Sequence, residues 1–403
     1  MGPHMSLATV EAALQTMLNR VQPLAPEAVP VAGADGLWLA EDVWAIRDQP
    51  PFNASSMDGW AMRAIDASPG AVLTVVGESA AGRPFQGTVE PGQAARISTG
   101  APLPAGSDRV VIQEEVTRNG DYIRLGPGPL TPVRVRERGC DYRAGDRLLA
   151  AGQRIDPWRL ALAASAGVAT LSCTRRPVVA ILTTGDELVE PGQAAGPGQI
   201  HAAAGPALAA VVSRHSGIAK RLPNVGDHDS AIIEALGTQT FDLLVTIGGA
   251  SVGDHDRVKP ALKAMGAVIH LEGVAMRPGR PVWFAILADG RPVLGLPGNP
   301  ASALVCAQLF LAPLLTQMQG AEGTPRFVSG VLTAALPANG PRDHYMRATV
   351  QIGDDGRRHV TPFPDQDSSL IRVIAEADAL IRREPNAPAA TAGTQVAVLV
   401  PAF

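Results

Sequence analysis

Apolar positions recur at steps of three and four over residues 7–21, which predicts an amphipathic helix there. From about residue 29 to 150 the pattern changes to short Val, Ile and Leu runs broken by glycine and proline. AVLTVVGES, QAARISTG, DRVVIQEEV and DYIRLG read as strands of a mostly β region. Pro157 ahead of WRLALAASAG marks a helix start, and Gly167 is placed to end it. From 175 onward strands and helices alternate: RRPVVAILTTGDEL, the helix after Ala204, KRLPNVGD, DSAIIEALG and FDLLVTIGGASVGDHD. Such alternation predicts a parallel α/β sheet over 175–325, whose loops at the carboxyl ends of strands are where these folds bind ligands. From 327 the β texture returns, with a short helix expected near 369–376 and a small barrel or sandwich around it. One helix start is unusual. In GQIHAAAG the positions that should carry Ser, Thr, Asp or Asn are Ala202, Ala203 and Ala204.

Composition narrows the class. A chain of 403 residues calls for two to four domains, and 42 glycines and 35 prolines spread along it suit many turns and short strands. The formal charge of −4, from 34 basic and 38 acidic residues, gives no electrostatic case for nucleic acid or a membrane surface. Three distant cysteines form no disulfide framework, so a reducing, cytoplasmic setting is expected. No uninterrupted apolar run reaches the roughly 20 residues of a membrane span.

Polar chemistry collects at the ends of the α/β strands. In TTGDEL, Gly185 permits a tight turn from which Asp186 and Glu187 project. In TIGGASVGDHD, Gly248, Gly249 and Gly253 flank Ser251 and let the backbone approach a phosphate or ring, while Asp254 and Asp256 offer carboxylates to Mg²⁺. MRPGRPVWF puts Arg277 and Arg280 around a Pro-Gly turn, and an arginine fork suits an oxoanion. GLPGNPASALV is a strand, a turn through Pro297, Gly298 and Asn299, and a helix with Ser302 in its first turn. Outside the sheet, NASSMDGWAMR carries Asp58, RISTGAPLP carries Thr99 and Gly100, and RERGCDYRAG carries Arg138 and Asp141. Each of these stretches alone also reads as an ordinary solvated turn.

Taken in order, SMDGW, TGAP, RGCD, TTGDEL, GGASVGDHD, RPGRP and GLPGNPASA resemble the molybdopterin molybdotransferase family, that of MoeA and the gephyrin E domain, over nearly the whole chain. The resemblance implies four domains in an elongated homodimer: 6–49 plus 142–174, a β-rich 50–141, a doubly wound α/β molybdopterin-binding domain at 175–326, and a β-barrel-like 327–403. It implies Mg²⁺-dependent insertion of molybdate into adenylylated molybdopterin with release of AMP, and other proteins of the cofactor pathway as partners. Asp58, Asp141, Glu187 and Asp256 match the acids of catalysis, and Asp186, Glu187, Asp227 and Asp256 those that handle metal and pyrophosphate. The pterin nucleotide and oxoanion would lie on Thr99 and Gly100, on the glycine-rich loops, and against Arg277, Arg280, Ser302, Arg347 and Ser368.

Four places depart from the family pattern. Arg277 and Arg280 stand where it has lysines, Cys140 where RGED has its glutamate, and Trp60 where it has tyrosine. Ala202–Ala204 replace an Asp-Ser/Thr-Asn run. A lost cap costs about 1 kcal/mol, and each lost hydrogen bond to a charged group about 1.5–3 kcal/mol. An active insertase is therefore set against a diverged paralogue that binds a pterin, nucleotide or partner protein, or acts on another nucleotide-linked substrate. A pyrophosphatase of the CinA type shares the TGDE-bearing domain but gives no reason for SMDGW, TGAP and RGCD.

Overall fold

The computed structural model describes residues 7–226, 228–237, 239–248 and 257–401. Its α/β body is a six-stranded sheet in the order Ile218–Arg221, Val178–Thr183, Leu243–Ile247, Pro292–Leu296, Trp283–Ile286, Val268–Glu272. The first four strands are parallel, as their alternation with helices predicts. Trp283–Ile286 runs antiparallel to both of its neighbours, so the sheet is mixed rather than parallel throughout. Between Ile286 and Pro292 the chain has only a tight turn, closed by Leu287 N–H to the Arg291 carbonyl at 2.8 Å, and no crossover helix fits there. Strand side chains alternate between two cores. Val179 and Ile181 pack with Leu208 and Val212 of the Ala204–Arg214 helix, while Ala180 and Leu182 pack with Ile232 and Leu262 on the other face.

The helical stretch from Pro300 to Met318 is long and apolar enough to cross a membrane, although no uninterrupted apolar run in the sequence suggested a span. In the fold 78% of it is buried, as the spine of the α/β core. It is α over Pro300–Cys306, widens to a π segment over Ala307–Leu311, and resumes as α over Ala312–Met318. The widening precedes Pro313, which has no N–H for the regular ladder.

The predicted N-terminal helix spans Val10–Leu18, capped by Thr9 Oγ1, which accepts from Ala12 N–H at 3.1 Å. Its apolar face joins the α/β core, with Val10, Leu14 and Met17 in the same cluster as Leu309 and Leu314. The Pro157–Ser165 helix starts under an Asp156 cap and ends before Gly167 at φ +79°, as the sequence predicts. Beside it lie two short antiparallel ladders, Pro26–Pro30 with Thr170–Thr174 and Val43–Trp44 with Arg147–Leu149.

A second six-stranded sheet runs Arg109–Ile112, Gly59–Met62, Gln93–Ile97, Val72–Ser79, Tyr122–Leu125, Val116–Asn119. DRVVIQEEV is not one strand. A 3₁₀ turn at Gln113–Glu115 divides it, where Gln113 N–H donates to the Asp58 carbonyl at 3.2 Å. The C-terminal body is a closed barrel of Asp343–Ile352, Arg358–Pro362, Phe327–Leu332, Gln395–Leu399 and Ala379–Arg383, the last pairing back onto the first. The short helix comes at Ile371–Ala375. A two-residue strand from the α/β body, Met276–Arg277, adds to this barrel in parallel with Asp343 and His344.

Candidate active site

A cavity of about 690 Å³ opens where the α/β strands end and the barrel begins. Three strand ends build its floor. Thr184 N–H donates to the Ile247 carbonyl at 3.0 Å, and Gly248 N–H to Leu296 at 3.3 Å, which brings the TTGDEL, TIGG and LPGN turns together. Close approach requires glycine at two points. At Gly248 (φ +91°) a Cβ would stand 2.7 Å from the Thr184 carbonyl, and at Gly185 (φ +147°) 2.6 Å from a Glu187 oxygen. The Glu187 carboxylate thus folds back over Gly185 at the cavity wall. Thr184 Oγ1 is buried in the same wall without a hydrogen-bond partner.

The RPGRP turn forms the opposite side, pressed onto the Pro300–Cys306 helix and holding Arg277 and Arg280 at the rim. Pro297, Gly298, Asn299 and Ser302 complete that side, and Asn299 Nδ2 donates to Ser368 Oγ of the barrel loop at 3.1 Å. A third arginine joins them. Arg342, at the start of the barrel, lines the cavity and was not singled out in the sequence, although it lies five residues before Arg347 in PRDHYMR. Among the described residues the guanidinium groups of Arg277, Arg280 and Arg342 make neither ion pair nor hydrogen bond, so three charged forks face one cavity.

Arg347 does not line it. Its side chain is fully buried, gives Nη2 to the Asp367 carbonyl at 3.0 Å, and leaves Nε and Nη1 without partners. Asp186 lies next to Gly226, where a Cβ would meet its Oδ1 at 2.6 Å. Asp227, Gly249, Ser251, Gly253, Asp254 and Asp256 lie outside the described residues.

The alanine triplet forms part of the cavity wall. Ala202 and Ala204 are buried, Ala203 occupies the cap position, and no side chain caps the helix. His201 does not supply the missing cap either: its Nε2 lies 3.0 Å from the Gln193 carbonyl, away from the helix start.

Asp58, Thr99, Gly100 and Asp141 are absent from the cavity wall. Asp58 and Thr99 do come together: Asp58 Oδ1 accepts from Thr99 N–H at 2.6 Å and from its hydroxyl at 2.9 Å. These bonds hold the Asp58 carboxyl below the usual carboxylate range, despite its exposure. Replacing Thr99 with valine removes the hydroxyl bond, so the carboxyl titration moves upward toward the ordinary value. Carboxyl-carbon NMR against pH reads the shift, and an unchanged midpoint would show that the hydroxyl contributes nothing. Trp60 beneath this loop is buried, with Arg96 and Arg118 centred 5.4 and 5.6 Å from its ring, so it is held by stacking without the family's tyrosine hydroxyl.

Three family models cover most of the chain: the MoeA N-terminal region (domains I and II) at residues 8–167, a probable molybdopterin binding domain at 180–317, and the MoeA C-terminal region (domain IV) at 329–400. The molybdopterin molybdenumtransferase of Nostoc sp. is 36% identical over 339 residues, 81% of this chain and 78% of that one. Its counterpart in Haemophilus influenzae is 33% identical over 97% of this chain and 98% of its own. Among solved structures, the molybdopterin biosynthesis MoeA protein of Pyrococcus horikosii superposes with a TM-score of 0.82 at 28% identity, covering 98% of this chain and 99% of that one. With three domain matches in series on a shared four-domain architecture, this chain belongs to the MoeA family, enzymes of molybdenum cofactor biosynthesis.

Proposed function

We propose that the cavity inserts molybdate into adenylylated molybdopterin with release of AMP. The observation that carries this reading is the set of three arginines, unpaired among the described residues, facing a floor of strand-end glycine backbone. Molybdate and pyrophosphate are both multiply charged oxoanions, and charge-assisted arginine forks are suited to hold them. Arg277, Arg280 and Arg342 would bind and orient the oxoanion. Gly185, Gly248 and Gly298 would let the nucleotide approach the backbone, and Ser302, Asn299 and Ser368 would offer polar contacts at the far wall.

Of the two acids at this strand end, Glu187 lines the cavity and Asp186 lies against Gly226 outside its wall, so Glu187 is the carboxylate that would offer an oxygen to Mg²⁺, which takes one or two carboxylates and keeps several waters. No group of three or more His, Cys, Asp or Glu forms a metal cage among the described residues, and the further acids of the set, Asp227 and Asp256, lie outside them. When bound, Mg²⁺ would neutralise charge on the pyrophosphate. Asp58 and Asp141, which the cavity of one chain lacks, would come from a second copy in a homodimer, and Thr99 would fix the Asp58 carboxylate. This reading keeps the domain division at 6–49 plus 142–174, 50–141, 175–326 and 327–403, and a cytoplasmic setting suited to three free cysteines. Other proteins of the same pathway would supply the substrate and accept the product.

The bare start of the Ala204–Arg214 helix, in the cavity wall itself, favours a second reading in which the site binds a pterin nucleotide without inserting metal. One assay separates the two. With adenylylated molybdopterin, Mg²⁺ and molybdate, AMP release with formation of active cofactor is expected from the chain as it stands. Writing Asp-Ser-Asn at 202–204 should not raise that rate, because larger side chains at the buried Ala202 and Ala204 would strain the cavity wall. Tight binding with no AMP release, or activity that appears only after the replacement, would support the second reading.

A further inference from the structure

The C-terminal barrel ends, on the side of the α/β body, in a second cavity of about 450 Å³. His344 and Met346 line it from one strand and Arg383 from the neighbouring one, with Asn339 on the loop above. Arg277 stands in the walls of both cavities, because its strand pairs with the barrel and sets it opposite His344.

Positive charge in this mouth is poorly balanced. Arg383 is 7% exposed and makes no ion pair among the described residues; its Nη2 goes to the carbonyls of Pro337 and Pro388. Arg347, on the strand of His344, is fully buried with Nε and Nη1 unpartnered. His344 is 9% exposed, and its ring has no hydrogen-bond partner among the described residues. Burial, then Arg277, Arg347, Arg342 and Arg383, push its pKa down to about 4. At neutral pH the ring is therefore uncharged, with one N–H to donate. Two acids at the rim, Asp365 and Asp367, favour the charged form of Arg347 but make no ion pair with it, Arg277 or Arg383 among the described residues, and each accepts within its own loop. Asp367 accepts from Ser369 N–H and hydroxyl at 2.8 and 2.7 Å, and Asp365 from Asp367 N–H at 2.9 Å. Buried guanidinium without a carboxylate is costly unless an anion answers it.

We propose that the barrel mouth is a second anion site, which holds a small tetrahedral dianion of the class of molybdate or sulfate between Arg277, His344 and Arg383. It would act as a holding site, from which Arg277 passes the anion to the main cavity. That role rests on the oxoanion reading of the main cavity.

The test is a crystal of the full chain soaked in tungstate and read by anomalous scattering, with calorimetric titration by molybdate and by sulfate. Tungstate is expected in the mouth within hydrogen-bond reach of His344 and Arg383, and separately in the main cavity. In H344L the mouth peak should disappear and one of the calorimetric steps weaken at least tenfold, while the main-cavity peak persists. R383K, which keeps the charge and loses the fork, should weaken the same step less. Arg383 also caps two carbonyls, so the soak of the unaltered chain decides the matter if that variant fails to fold. A main cavity occupied with an empty mouth overturns this inference alone. An empty mouth and an empty main cavity overturn the oxoanion reading as well. A mouth peak undiminished in H344L would also overturn the assignment.

Discussion

Arg280→Ala should lower kcat/KM for molybdate by roughly 10- to 100-fold with no measurable loss of thermal stability. Its guanidinium is exposed at the cavity rim and has no ion pair or hydrogen bond among the described residues, so truncation breaks nothing that holds the fold. On the proposed function it also removes a charge-assisted contact to the oxoanion, worth about 1.5–3 kcal/mol, which is the fold-change given. Arg280→Lys keeps the charge and loses the planar fork, so it should recover part of the rate and raise KM for molybdate more than it lowers kcat. Steady-state AMP release against molybdate concentration measures both. If Arg280→Ala keeps full kcat/KM, the cavity does not use this arginine to hold the oxoanion.

Gly279→Ala should destabilise the protein by about 2–5 kcal/mol and depress activity with it, adding the cost of the left-handed backbone to that of overpacking. Gly279 sits at φ +109°, where an L side chain is strained, and an added Cβ would stand 2.3 Å from Cys306 Sγ. Cys306 and Met276, whose Cε would stand 3.1 Å from the added Cβ, are both fully buried, so moving either disturbs the core. The turn must move instead, and it carries both rim arginines. The second change Cys306→Ala removes the obstructing sulfur and should restore part of the stability, giving a coupling in a double-mutant cycle well outside additivity. Denaturant unfolding of the four proteins reads it. Strict additivity would mean that only the backbone is strained.

The local elements were legible because their signals are local. Pro157 and Gly167 bracket a helix, Gly185 and Gly248 end strands, and Asn299-Pro300 opens the long helix, each through chemistry confined to a few residues. What the sequence could not show are pairings between distant segments. The antiparallel placement of Trp283–Ile286 follows from the short turn before Pro292, which alternation of strands and helices does not report. The Val10–Leu18 helix shows an apolar face but not which core receives it. Arg342 belongs to the cavity only because Met276–Arg277 reaches across to the barrel. Asp58 and Arg280, 222 residues apart in sequence, fall in one motif series yet not in one cavity of this chain.

That crossing strand also bears on how the molecule breathes. Asp343 N–H donates to the Ala275 carbonyl at 3.0 Å, and the ladder then pairs Met276 and Arg277 with Asp343 and His344. Arg382 ties the same edge by an ion pair to Asp343 and another to Glu11 of the N-terminal helix. A hinge at this seam would have to rupture backbone bonds of the barrel itself. The barrel and the arginine turn should therefore belong to one cooperative unit in hydrogen exchange, with the Asp343 amide as slow as the barrel strands. The arginine turn would then be held in place before any ligand arrives, and binding would cost little ordering of it.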